Sequence, residues 1–217
     1  MRRSAIRIVR VWIILLGVGM GIVGCAGEPQ LIPVTNPTQR LVFEGFSILP
    51  PHGENWFMDP PALRKQQGSD VIVGFRKLTT PPSKTHTVVA TVRDGRVPIS
   101  AGSRAELIQK SAQAYSKQTE RNRPVSVKIS PDRTLAPDCM RYDMTVEDRG
   151  VPRYPGSVFI MDLHGFVCLH PDFPDAVIDI TYSQRRLPEE QPLSLEAEGE
   201  SFVKSLIFNR LPGRSSP

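Results

Sequence analysis

Asp138-Cys139-Met140-Arg141-Tyr142-Asp143-Met144-Thr145-Val146-Glu147 and Val158-Phe159-Ile160-Met161-Asp162-Leu163-His164-Gly165-Phe166-Val167-Cys168-Leu169 are the two runs whose reading decides the fold. Side chains alternate between the faces of a strand, so two such runs joined by a turn-rich connection predict an antiparallel hairpin. If paired residue numbers sum to 307, Met140 faces Val167, Tyr142 faces Gly165, Met144 faces Leu163 and Val146 faces Met161. The other face then pairs Asp143 with His164, Thr145 with Asp162 and Cys139 with Cys168. A slip of one residue would scramble this sorting, whereas a slip of two would preserve it. The pattern therefore fixes parity, and the two cysteines would fix the register.

Working outward, further β-rich runs lie at Leu41 to Leu49, Val71 to Leu78, Thr85 to Arg93, Val125 to Ile129 and Ala176 to Tyr182, punctuated by Pro50-Pro51, Pro81-Pro82 and Pro171. Val88, Ala90 and Val92 alternate with Thr87, Thr91 and Arg93, as do Ile178, Ile180 and Tyr182 with Asp179 and Thr181, which predicts one apolar sheet face. Two helices are expected. Ser103-Arg104-Ala105-Glu106 is a capping box, followed by a stripe of Leu107, Ile108, Ser111, Ala112 and Tyr115. Pro124 would stop this helix, with Arg121 and Arg123 near its negative pole. The second should run from about Ser194 to Leu206, burying Leu195, Phe202, Val203 and Leu206. The expected class is α+β, an antiparallel meander with helices packed on it.

The chain opens differently. Arg2, Arg3, Arg7 and Arg10 precede the uncharged stretch of 14 residues from Val11 to Gly24. A bilayer-spanning helix needs roughly 20 apolar residues, so this is the length of a signal-peptide core. Gly19-Met20-Gly21-Ile22-Val23-Gly24 fits the G-x-G-x-x-G dinucleotide fingerprint, but it follows no predicted strand and lies within the segment expected to be removed. The four arginines belong to 27 basic residues set against 22 acidic ones, so the formal charge of +5 falls to about +1 without them. That removes the case for nucleic-acid binding.

Ile22-Val23-Gly24-Cys25 resembles the lipobox of bacterial lipoproteins. The resemblance implies cleavage before Cys25, lipidation of its sulfur and acylation of the new amino group. It thereby makes the membrane a partner, with the protein held in the cell envelope facing the periplasm or the exterior. Ala26 occupies the position of a retention signal, which implies the outer membrane in a host that has two membranes. Residues 1–24 then form the signal, 25–39 a spacer with Pro29, Pro33 and Pro37, 40–210 one domain and 211–217 a disordered tail.

The strand Phe43 to Leu49, the Pro-Pro turn leading to Trp56, the late strand and the terminal Phe202-Val203-Lys204-Ser205-Leu206 helix are similar in order to the PsbP-like fold, which also occurs in DcrB-type lipoproteins. That similarity implies a layered α/β/α arrangement and carries no site residue.

Lipidation of Cys25 would leave Cys139 and Cys168 as a pair. Neither sits in a C-x-x-C motif, so a structural disulfide fits them better than a redox or metal site. Asp162, His164, His170 and Asp172 are spaced unlike a zinc site; a cross-strand Asp143–His164 pair and a turn at His170-Pro171-Asp172 account for them. Arg185 and Arg186 are adjacent guanidinium groups that could clamp an anion or simply be solvated. No nucleophile elbow, zinc helix or P-loop occurs in the sequence. The expectation is a membrane-tethered, non-catalytic domain binding or supporting another envelope component. The alternatives are a hydrolase or a small-ligand carrier with a site assembled from scattered residues.

Overall fold

The computed structural model describes residues 30–61, 71–96, 117–173 and 175–209, together with Glu106, Gln109, Lys110 and Gln113. Its strands are β1 (Ile32–Pro33), β2 (Leu41–Phe43), β3 (Phe46–Ile48), β4 (Trp56–Met58), β5 (Val71–Lys77), β6 (Thr87–Arg96), β7 (Asn122–Pro131), β8 (Cys139–Asp148), β9 (Phe159–Leu169), β10 (Ala176–Arg186) and β11 (Ile207–Phe208). Helix α1 is Glu196–Val203. The expected signal peptide, lipidated Cys25, the first three residues of the capping box and the C-terminal tail lie outside the described residues.

The β8–β9 hairpin pairs in the expected register throughout: Met140 with Val167, Tyr142 with Gly165, Met144 with Leu163, Val146 with Met161, and Cys139 with Cys168. The cysteines form a disulfide with Cα atoms 4.1 Å apart. Leu169 N–H donates to the Asp138 carbonyl at 2.9 Å. The flanking pair is thus hydrogen-bonded, and the cysteines occupy the narrower, non-hydrogen-bonded kind of pair.

All eight strands of the main sheet are antiparallel to their neighbours, in the order β1-β4-β5-β6-β10-β9-β8-β7. The chain climbs from β4 to β6, crosses to the far edge at β7 and meanders back until β10 closes against β6. A second sheet, β11-β3-β2, lies apart in the hydrogen-bonding sense. The expected single strand from Leu41 to Leu49 is instead a hairpin, because Gly45 adopts φ 83° and turns the chain after Glu44. β1 falls in the stretch expected as spacer, where Ile32 and Pro33 pair with Met58 and Phe57.

The α+β, α/β/α expectation is overturned. Among the described residues the fold is mostly β, with two antiparallel sheets and one complete helix of eight residues. An eight-stranded sheet is far wider than so short a helix can cover, so the three-stranded sheet does much of the covering. Phe46 and Ile48 from that sheet join Phe202, Val203 and Leu206 over Val73, Phe75, Val88, Ala90, Val92, Phe166, Ile178 and Ile180. The first expected helix is described only at Glu106, Gln109, Lys110 and Gln113, which are helical and exposed. Arg121 and Arg123 do not serve a helix end. They pair across β7 and β8 with Asp148 and Glu147.

The single apolar face is also corrected. Val88, Ala90, Val92, Ile178 and Ile180 lie on one face, whereas Met140, Tyr142, Met144, Val146, Val167, Leu169 and Val177 form a second cluster on the other. β9 and β10 stand between and are buried on both sides, as with Phe166 and Val167 at 0% and 1% exposure.

β7 is an edge strand. Asp132 N–H donates to the Cys139 carbonyl and Arg149 N–H to the Arg121 carbonyl. By alternation Ser126, Lys128 and Ser130 bond inward to β8, while the backbone of Pro124, Val127, Ile129 and Pro131 points outward. Both prolines thus occupy outward positions, where their missing N–H removes a donor from the free edge.

Candidate functional site

On the face carrying the larger core, strands β8 to β10 extend beyond α1 and leave a polar cleft. Its floor is Arg141, Asp143, His164, Tyr182 and Gln184; its wall is the segment from Leu193 to Glu200. The volume is about 360 Å³. Helix α1 comes close because Gly199 has no side chain: a Cβ there would sit 2.4 Å from the Tyr182 ring. The Tyr182 ring in turn stacks on His164, centroids 5.0 Å apart.

Arg141 organises the charges. Its Nε donates to Asp143 Oδ2 at 3.3 Å and its Nη1 to Glu200 Oε2 at 3.2 Å, with Nη2 bonded to both carboxylates. His164 Nδ1 lies 2.8 Å from Asp143 Oδ1. This is the expected Asp143–His164 cross-strand pair, and Asp143 is the sole hydrogen-bond partner of His164 among the described residues. Lys204 reaches Glu200 at 3.0 Å. Burial works to raise the Asp143 and Glu200 carboxyls, but hydrogen bonds from His164 and Arg141 to the first, and from Arg141 and Lys204 to the second, hold both below their ordinary values. The same pairs raise Arg141 against its own desolvation. Burial, assisted by the field of Glu200, pushes the Tyr182 phenol up to about 12.

Such a cleft can orient an imidazole through its carboxylate partner, the arrangement a general base needs. It can also hold a polar ligand between His164, Gln184 and the wall. Arg141, Gln184, Glu196 and Glu200 carry no site reading in the sequence, and Tyr182 and Ser194 enter it only as strand and helix positions. The spacing of Glu196 and Glu200 by one helical turn was the available signal for two of them.

Arg185 and Arg186 do not converge. As neighbours on β10 they point to opposite faces, Arg185 toward Asp148 at 3.4 Å and the Phe159 ring, Arg186 toward Asp162 at 3.3 Å. His170 is 2% exposed, with Nε2 donating to the Gly45 carbonyl at 2.7 Å and Nδ1 accepting from Asp172 N–H at 3.0 Å. It clasps the small sheet to the end of β9. Asp162 accepts from Thr145 at 2.9 Å and His164 pairs with Asp143, while His170 meets Asp172 through that residue's backbone N–H; among the described residues no group of three or more such side chains converges.

No family model and no curated protein matches this chain.

Proposed function

We propose that this chain is a lipid-anchored protein of the bacterial cell envelope whose β domain acts by binding a ligand or another envelope component. The observation that carries the reading is the Cys139–Cys168 disulfide, 2% and 0% exposed. Disulfides persist outside the reducing cytoplasm, and this one engages two of the three cysteines, leaving Cys25 in its lipobox-like setting. A binding role is supported by the cleft, whose charged groups are engaged with one another: Arg141 holds Asp143 and Glu200, and Asp143 holds His164. On the Ala26 reading the anchor is in the outer membrane when the host has two membranes.

The test is mass spectrometry of the native protein, which should begin at a diacylated Cys25, together with fractionation of Cys25→Ser, which should leave the membrane. An unmodified Cys25 in processed protein would end the reading. Crosslinking in the native envelope should then capture the bound component. The Asp143–His164 pair favours one second reading, a hydrolase with His164 as base. Turnover in a broad ester and amide screen that vanishes in His164→Ala would establish it in place of the first.

A further inference from the structure

We propose that the groove on the Met144 face of the eight-stranded sheet binds a single-chain amphiphile with a carboxylate head, of the long-chain fatty acid class. The inference rests on the binding reading above and names the ligand. This groove lies on the opposite side of the sheet from the polar cleft. Its volume is about 570 Å³, within the roughly 300–1,000 Å³ of small-molecule sites.

The lining is polarised along the strands. One end is apolar, with Met144, Leu163 and Val89 in a single cross-strand row that includes Ser183; the other is polar, with Arg93 opposite Asp179 on β6 and β10. Arg93 stands four residues or roughly 13 Å along β6 from Val89, so a chain lying along the strands would pass from one character to the other.

The head group follows from the charges. Arg121 is paired with Asp148, and Asp179 accepts from Tyr142 Oη at 2.7 Å and Thr181 Oγ1 at 2.9 Å. Arg93 is half-buried and makes no hydrogen bond or ion pair among the described residues. A planar guanidinium on the same strand face as the Thr91 hydroxyl suits a bidentate carboxylate. Asp179, the register partner of Arg93, stands close enough to disfavour a doubly charged phosphate. A monoanion with an apolar tail satisfies both halves of the groove.

The experiment is calorimetric titration of the mature chain with dodecanoate below its micelle concentration, beside dodecanol and acetate. Dodecanoate should bind saturably at one site, dodecanol at least about tenfold more weakly, and acetate not measurably. Arg93→Gln, at a half-exposed position that should leave the fold intact by circular dichroism, should bind dodecanoate and dodecanol equally. No saturable dodecanoate binding, equal binding of acetate, or unchanged head discrimination in Arg93→Gln would each overturn the proposal. A captured envelope partner alongside a negative titration would leave the binding reading standing and remove this ligand from it.

Discussion

Tyr142 lies across Gly165, its direct partner on the neighbouring strand, and reaches over it to Asp179 and Thr181 on the strand beyond. A Cβ at Gly165 would come 2.8 Å from the Tyr142 hydroxyl and 2.4 Å from the Ile180 carbonyl oxygen. The second contact is with backbone and cannot swing away. Gly165→Ala should therefore destabilise the domain by about 1–3 kcal/mol. Tyr142→Phe should cost about 1–3 kcal/mol as well, because Asp179, 5% exposed, loses a donor. Urea unfolding should show both as a lower midpoint with an unchanged slope. A Gly165→Ala midpoint at or above that of the parent would mean the strands are not this close.

The disulfide closes a loop whose ends are 29 residues apart in sequence, and the chain-entropy model gives about 3.5 kcal/mol for a loop of that length. Replacing both cysteines with alanine should lower stability by about that amount. Since both are buried, resistance to labelling in the native state reports burial alone. The discriminating measurement is labelling in denaturant without reductant: neither residue should react until a reductant is added.

The register of the central hairpin was legible because two constraints agreed, the sorting of Met140, Tyr142, Met144 and Val146 to one side and the opposition of two cysteines. Nothing comparable announced which face of each hairpin is covered. Val88-Ala90-Val92 and Met140-Tyr142-Met144 carry equivalent alternation, yet they bury opposite faces, since covering depends on elements distant in sequence. The Glu44-Gly45 turn was hidden inside an apolar run, and the cue was a single glycine. Asn122 to Pro131 was divided between a helix end and a strand because Pro124 stops either element. In the cleft, Asp143–His164 followed from pairing alone, whereas Arg141–Glu200 joins residues 59 apart and has no local signature.

Acid should unfold the domain through the ion pairs that Glu147 and Asp148 make with Arg121, Arg123 and Arg149. Arg123 and Arg149 hold Glu147 at about 2 against an ordinary 4.5. Asp148 is lowered although burial opposes it, because Arg121 and the Gly150 N–H outweigh desolvation. A depressed carboxylate stabilises the folded state above its unfolded pKa, and that contribution disappears as pH falls through the folded value. Stability should therefore decline from about pH 4.5 toward pH 2. Glu147→Gln should flatten part of that decline, and the urea midpoint measured at several pH values is the readout. An identical acid limb in parent and variant would contradict the pairing.

The last prediction concerns the free edge at β7. Val125 and Val127 are 59% and 40% exposed there, on a strand of ten residues, the combination that invites another chain to pair. Among outward positions of the described strand, Val127 and Ile129 keep both an N–H and a carbonyl, Asn122 has both bonded to Thr119, and Pro124 and Pro131 offer carbonyls alone. Any strand added here can form a continuous ladder only across that short window, too short to hold two chains together against the entropy of association. Replacing both prolines with threonine restores two outward donors in a residue type at home in strands. Pro124→Thr/Pro131→Thr should then associate with rising concentration, as dimers or larger species, while the parent does not gain mass from this edge. Analytical ultracentrifugation over a hundredfold concentration range is the measurement. Adding Val127→Lys to the double variant should reverse the effect, since a charge on the pairing strand opposes a second copy of itself. If the double variant sediments as the parent does, the prolines are not what closes the edge.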